Sequence, residues 1–341
     1  MKNNKLIKKE DSFDSVYKNI KQLLDEARTA VSRVVNSTLV QTYWEIGRII
    51  IQEEQNGKEK AGYGTYLIEE LSKKLIAEYG KGFSKRNIFN MRKFYVTFPI
   101  VQALSAQLTW SHFLLLINLE KKDARDFYLN ESINSNWSTR ELDRQINSLL
   151  YERLALSKDK KKVLELSQKG NIIEKPQDLI KEPYVLEFLG LKENNNYQEK
   201  YIEKALINKL KLFLLELGKG FSFVSRQKRI NVGDDNFYID LVFYNYILKC
   251  FVLVDLKLGK LTHQDIGQMD FYVRYFEQEE KQENDNPTVG IILCSDKNDI
   301  ITKYTILNDN QNIFASKYKL YLPTQEELKK ELNLITKESE D

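Results

Sequence analysis

Two apolar runs in this chain carry an acid in mid-run, and that restricts what they can become. Phe237-Tyr-Ile-Asp240-Leu-Val-Phe-Tyr244 and Cys250-Phe-Val-Leu-Val-Asp255-Leu-Lys257 have the aromatic and β-branched content of central strands. A central strand rarely holds charges unless they are paired or bind metal. Strand side chains alternate, so Asp255 and Lys257 share a face, roughly 6–7 Å apart along the strand. Asp240 on a neighbouring strand can join them. Two carboxylates and an ammonium at one sheet edge describe a divalent-metal site for phosphodiester cleavage.

The surrounding composition sets limits. A chain of 341 residues suggests two domains, each with its own core. Its 42% hydrophobic and 30% charged residues are ordinary for a soluble protein. A net charge of +3 says little about partners, so the distribution of charge must carry that argument. Cys250 and Cys294 fall in predicted strands and read as small core residues of a reducing compartment. Two histidines and two cysteines argue against a zinc site. The opening residues Met1–Glu10 lack the apolar core of a signal peptide, and no apolar run is long enough to span a bilayer. A cytoplasmic location without membrane partners is the expectation.

Two different patterns divide the chain. From Ser12 to about Ile51, apolar residues recur at helical spacing (Val16, Ile20, Leu23, Leu24, Val31, Val34, Val35, Trp44, Ile46, Ile49, Ile50). A glycine break at Ala61–Gly64 precedes a helix from Thr65 to Tyr79. Gly80-Lys-Gly82 is a turn, and Ser84 caps a helix that ends before Pro99. Further helices begin near Thr109 and after Ser138-Thr-Arg-Glu141, a capping box. A lysine-rich connector over 155–182, with a short helix at Val163–Gln168, separates a domain over 1–154 from one over 183–336. The later part reads as a helix over Tyr197–Leu217, strands Phe221–Ile230, Asn236–Tyr244 and Leu248–Lys257, a helix over Thr262–Glu277, and a strand over Thr288–Cys294. Glu279–Asn286 reads as a polar loop, and the residues after Thr336 as frayed. The fold class is α+β with two domains: an all-α, helix-turn-helix-like, winged-helix-like first domain and an αβββαβ second domain.

Phosphodiester hydrolysis needs an activated water, neutralisation of charge on the transition state and help for the leaving oxygen. Mg²⁺ or Mn²⁺ supplies much of this, and hard cations take oxygen ligands. Asp240 is the bridging ligand and Asp255 the second, with the Leu256 carbonyl as a third oxygen. Lys257 can orient or deprotonate water, or stabilise charge on the phosphate. As a base it would need a lowered pKa. The plain alternatives are a structural Asp255–Lys257 ion pair and a chance Asp-x-Lys.

The order Asp240…Asp255-x-Lys257 resembles the PD-(D/E)XK nuclease signature. Gln268 and Tyr272 stand at i and i+4 on the next helix and share a face. They are similar to the QxxxY motif of RecB-type members. The resemblance implies that Gln268 holds a water at the metal and that the Tyr272 hydroxyl touches a phosphate. It also implies an outlying acid in the first helix of the domain. Glu199, Glu203 and Glu216 are candidates; Glu203 is favoured for its position beside Leu206, Ile207 and Leu210, with Glu216 second.

The helical half carries its own signal. Lys81, Lys85, Arg86, Arg92 and Lys93 are basic within Gly80–Tyr95, with no acid among them. Helix, glycine turn and basic helix form the pattern of a helix-turn-helix, with Lys85, Arg86 and Asn87 where phosphates and base edges are met. A basic solvated helix is the plain alternative. The candidate partner is nucleic acid, DNA first, with a second copy of the chain as a further candidate.

Over nearly its whole length the chain resembles the YhcG-type family of bacterial nucleases. The likeness rests on Gly82-Phe-Ser84, Asn87 and Met91-Arg-Lys-Phe-Tyr95; on Leu108-Thr-Trp-Ser-His112; on Pro183–Gly190 and Leu214–Phe221; on Asp240–Tyr244, Asp255-Leu-Lys257 and Gly267–Tyr272; and on Gly290–Cys294 and Leu320–Pro323. It implies a helical, winged-helix-like domain followed by a nuclease domain. The chain departs from the family at Asp255, where glutamate is most common. Aspartate satisfies the signature but is one methylene shorter, which shifts where a metal can sit. The rivals are a catalytically degenerate nucleic-acid-binding protein and an assembly module.

Overall fold

The computed structural model describes residues 3–56, 63–99, 107–156, 160–191, 197–233, 235–296, 312–324 and 326–328. The chain divides into two compact units, Met1–Arg125 and Asp126–Asp341.

The first unit is helical. Its elements are α1 (Asn3–Asn56), α2 (Tyr63–Tyr79), a 3₁₀ turn (Lys81–Phe83), α3 (Lys85–Thr97) and α4 (Trp110–Leu116), followed by the start of α5 (Lys122–Asn134). The first residues of the Ala61–Gly64 break lie outside the described residues. Ser84 caps α3 as its position predicts, its hydroxyl accepting from the Asn87 amide. α3 buries Ile88, Met91 and Phe94, spaced three apart, on one face. Ile50, Ile68 and Ile88 form a small core with Phe83 against it. α1 meets α3 at Gly47, where a Cβ would lie 2.2 Å from the Met91 carbonyl oxygen; no larger residue fits that crossing. Among the described residues of this unit there is no strand, so the winged-helix expectation finds no wing. Helix, three-residue turn and basic helix are present.

The second unit contains most of α5, then α6 (Thr139–Asn147), α7 (Leu150–Leu156) and α8 (Lys160–Lys169). The capping box before α6 forms, with Ser138 and Glu141 each bonded to the other's backbone amide. The stretch read as a connector is structured: besides α8 it has a 3₁₀ turn at Pro176–Leu179, and Ile173 and Leu179 are buried in the core. The sheet and its helices follow as β1 (Tyr184–Val185), α9 (Glu199–Asn208), α10 (Leu210–Leu217), β2 (Phe221–Val232), β3 (Asp235–Asn245), β4 (Cys250–Lys260), α11 (His263–Tyr275), β5 (Val289–Asp296) and β6 (Ile313–Lys319).

The strand order is β1-β6-β5-β4-β3-β2. The β2–β3 and β3–β4 pairs are antiparallel, and the others are parallel. The predicted αβββαβ series is present, with β6 and β1 added at the far edge. The single helix expected over Tyr197–Leu217 breaks at Lys209, whose backbone leaves the helical region (φ −115°, ψ 27°). A π-helical turn, Phe276–Glu280, extends α11 into the segment read as loop. Ile202, Leu206 and Phe213 of α9 and α10 cover one face of the sheet. Ile266, Met269, Tyr272 and Val273 of α11 cover the other. The α11–β5 contact is close: a Cβ at Gly290 would lie 2.6 Å from Met269 Sδ. Cys250 and Cys294 are buried free thiols. Among the described residues, no helix is long and apolar enough to cross a membrane.

Candidate active site

The site forms where two strands part. The β3–β4 ladder runs from Asn245↔Cys250 to Leu241↔Val254 and stops. Asp240 and Asp255 are the next residues in that register. In place of a backbone partner, the Leu256 amide donates to Asp240 Oδ2 at 2.8 Å. The splay thus gives the carboxylate a place inside the sheet. Asp255 stays on the parallel side, paired with Ile292 of β5, and is only 2% exposed.

Lys257 completes the cluster. Its ammonium lies 2.9 Å from Asp255 Oδ2, 3.8 Å from Asp265 Oδ1, and donates to Gln268 Oε1 at 3.2 Å. Gln268 donates in turn to the Tyr272 hydroxyl, which donates to the Tyr238 carbonyl at 2.9 Å. Tyr272 is fully buried, with its hydroxyl bonded on both sides. It is therefore placed to prop Gln268, and the phosphate contact expected of it has no open path.

Of the three acids weighed in the first helix, two reach this region. Glu203 is 4% exposed and accepts from Gln227 Nε2 at 2.8 Å. The same Gln227 amide donates to Asp240 Oδ1 at 3.0 Å, so it bridges the two carboxylates. Glu199 Oε1 accepts from the Leu258 amide at 2.9 Å, one residue beyond Lys257. Glu216 is elsewhere, enclosed by Arg144, Arg153 and Lys181. Gln227 escaped sequence reasoning. It sits in β2 at φ 47°, a left-handed conformation that costs a residue with a side chain about 1–3 kcal/mol. Its neighbours Ser225, Arg226 and Lys228 are polar as well, so nothing in the sequence singles it out.

Electrostatics follow from this crowding. Burial and then the Asp255 charge push Asp240 up to about 7, with Glu203 adding to the effect. Burial also raises Asp255, although Lys257 opposes it. Burial disfavours the Lys257 ammonium, but Asp255, Glu199 and Asp265 outweigh it and hold the group above its ordinary value. Among these carboxylates Lys257 is held as a cation, the form that orients water or faces charge on a phosphate.

The donor set suits a hard divalent cation. Asp255 Oδ2 is buried, with no backbone donor, and faces the Lys257 ammonium at 2.9 Å. A cation would offset the burial that raises both aspartates and the Asp255 charge that adds to it at Asp240. Among the described residues, no three or more His, Cys, Asp or Glu side chains gather around one point.

The basic helix is more committed than its sequence suggests. Lys85 is ion-paired with Glu69 of α2. Arg92 lies 2.7 Å from Glu54 of α1. Lys93 donates to Asn118 Oδ1 at 3.1 Å. Asn87, expected to read bases, donates to the Gly82 carbonyl and accepts from Trp110 Nε1. It braces the turn. Lys81 and Arg86 have no carboxylate partner among the described residues and line one shallow depression with Asn90 and Asn118.

Residues 177–333 match the family described as the YhcG PDDEXK nuclease domain, and residues 19–153 match the DUF1016 N-terminal domain. A protein of Escherichia coli (strain K12) named "Putative nuclease YhcG" is 38% identical over 352 residues, spanning 94% of this chain and 93% of that protein. Among solved structures, a repair endonuclease from Pyrococcus abyssi is 17% identical over 39% of this chain and 50% of its own, with a TM-score of 0.27. A complex of EndoMS with double-stranded DNA is 14% identical over 40% of this chain and 51% of its own, also at 0.27. These two likenesses are too slight to carry an argument.

Proposed function

The chain belongs to the family in which a DUF1016 N-terminal domain precedes a YhcG PDDEXK nuclease domain, and from that premise we propose that it hydrolyses phosphodiester bonds of nucleic acid, DNA first, with Mg²⁺ or Mn²⁺. The observation that carries the reading is the buried Asp255 carboxylate, adjacent to Asp240 where the β3–β4 ladder ends and 2.9 Å from the Lys257 ammonium. Asp240, Asp255 and the Leu256 carbonyl would hold the cation, which when bound supplies Lewis acidity and a nucleophile at neutral pH. Gln227 aligns Asp240 with Glu203. Lys257 stays protonated and faces the charge that builds on the phosphate in the transition state. Gln268, fixed by Tyr272, sets the direction of the Lys257 ammonium. The setting is a reducing bacterial cytoplasm, in keeping with two free buried cysteines. Residues 1–154 would hold nucleic acid and residues 183–336 would cut it, with the stretch 155–182 packing on the latter through Ile173 and Leu179.

The test is a panel of labelled single-stranded, duplex, flap and four-way DNA and RNA, with and without Mg²⁺ or Mn²⁺. Binding without cleavage on every substrate would leave the chain a nucleic-acid-binding protein and overturn the reading.

Lys257→Ala should lower single-turnover cleavage on the order of 100- to 1,000-fold with substrate binding retained, since the ammonium acts in the transition state. Gln268→Ala should cost roughly 10-fold, as a residue acting through another. A larger loss from Gln268→Ala would exchange the two roles.

Of the five basic residues over Gly80–Tyr95, Lys85, Arg92 and Lys93 are partnered, and Lys81 and Arg86 are left for phosphate. Lys81→Ala/Arg86→Ala should weaken duplex DNA binding and reduce the log–log salt slope by roughly 1.8, about 0.9 per lost contact. Cleavage at saturating substrate should hardly change. Binding titrations at several salt concentrations read this directly, and an unchanged slope would remove α3 from the interface.

A further inference from the structure

The first half of α1 carries an apolar stripe that its own unit does not cover. Every residue from 13 to 35 is exposed, whereas Val40 and Ile50 further along are buried in the helical core. An isolated helix gains little stability from propensity alone, and an apolar face ordinarily needs another surface. Here the apolar residues fall at Phe13, Tyr17, Ile20, Leu24, Ala27, Val31 and Val34. The steps are four, three, four, three, four, three, the seam of a left-handed coiled coil. The pattern ends at Thr38 and Gln41, close to where α1 enters the core. Val16, Leu23 and Val35 widen the stripe on its flanks.

We propose that this seam pairs with the same seam of a second copy of the chain. Area favours that occupant. Phe13, Val16, Tyr17, Ile20, Leu23, Leu24, Val31, Val34 and Val35 are each between 50% and 70% exposed. At roughly 100 Å² apiece they leave on the order of 900 Å² bare, against about 800 Å² per partner in a stable interface. A heptad seam also requires a partner helix of the same period, and α1 of another copy supplies one. Ala27 and Ala30 let the two backbones approach closely at the middle of the seam.

The test is the mass of the full chain in solution by sedimentation or light scattering at micromolar concentration. The expected result is at least twice the 40.2 kDa of one chain. Ile20→Glu/Leu24→Glu should return it to a single chain. Because both residues are exposed, the variant should keep its thermal unfolding midpoint when measured at high dilution, which separates loss of pairing from loss of fold. A single-chain mass for the native protein would overturn the proposal and assign the stripe to another surface or partner. A variant that stays oligomeric would overturn it too, placing the contact elsewhere. Neither outcome depends on whether the second unit cleaves nucleic acid.

Discussion

Asp240→Asn abolishes cleavage and at the same time stabilises the metal-free protein above neutral pH; this is the expected result if Asp240 and Asp255 form the cation site. The substitution removes a charged ligand but keeps the shape, and the Leu256 amide can still donate to the remaining oxygen. Loss of a group that organises transition-state charge should reduce the rate at least about 1,000-fold. Asp255→Asn should do the same. The stability gain has a definite sign. Burial and Asp255 hold Asp240 at about 7, above its ordinary value of 3.8. The folded state therefore binds the proton more tightly than the unfolded chain does. That contribution to stability is full below about 4 and is lost as pH rises through 7. Asparagine has no proton to lose, so the variant should match the native protein near pH 4 and exceed it at pH 8 by on the order of 2–4 kcal/mol. Gln227 offsets part of the gain, because its amide would face the new amide of residue 240 unless one of them turns. Unfolding in chelator across this pH range, beside a cleavage assay, checks both halves. Retained cation-dependent cleavage in both variants would move the site elsewhere.

The parts of this site that the sequence disclosed are those that violate a strong rule. Charges inside apolar strands have few explanations, so Asp240, Asp255 and Lys257 could be read from the chain, and the helical period placed Gln268 and Tyr272 on one face. What stayed hidden depends on contacts distant in the sequence or on backbone geometry. Gln227 bridges Glu203 and Asp240 through a left-handed backbone conformation in an edge strand of polar residues, and neither polarity nor period signals that. Lys85 and Arg92 looked free because their partners, Glu69 and Glu54, lie on other helices. The α1 stripe was legible as an amphipathic helix, but periodicity could not say that residues 13–35 would find no cover in their own unit. β6 went unread because Ile313–Lys319 mixes serine and lysine among its apolar residues, and β1 is only two residues long. In the sequence Glu216 stands second to Glu203 as a candidate acid because it lies at the end of the helix before the first strand. Only the fold brings in the arginines that enclose it.

Those arginines make Glu216 a sensitive position of the second unit. The carboxylate is fully buried. Oε1 accepts from Arg153 Nη1 at 2.6 Å and from the Val185 amide at 2.9 Å, while Oε2 accepts from Arg144 at 3.3 Å. Arg153, also fully buried, donates further to the Ser148 and Pro183 carbonyls. Arg144 continues to Glu187 at 2.9 Å. One carboxylate thereby ties α6 and α7 to α10 and β1. Burial opposes its charge, but Arg153, Lys181 and Arg144 outweigh that and hold it down to about 2. Its contribution is therefore present above ordinary carboxylate pH and is lost as pH falls toward 2. Glu216→Gln leaves the Arg153 guanidinium and the buried Lys181 without their nearest counter-charge, while Arg144 keeps Glu187, and should cost about 3–5 kcal/mol. For a unit of this size that lowers the unfolding midpoint on the order of 10 °C. Glu216→Leu combined with Arg153→Met should recover much of the loss, because an apolar pair avoids the unpaired charge that either single change creates. A double-mutant cycle on thermal unfolding measures this coupling. Cleavage by the Glu216→Gln protein, assayed well below its midpoint, should stay near the native rate. A collapse of cleavage in a folded, unweakened Glu216→Gln protein would instead return Glu216 to the candidate site and displace Glu203 as its outlying acid.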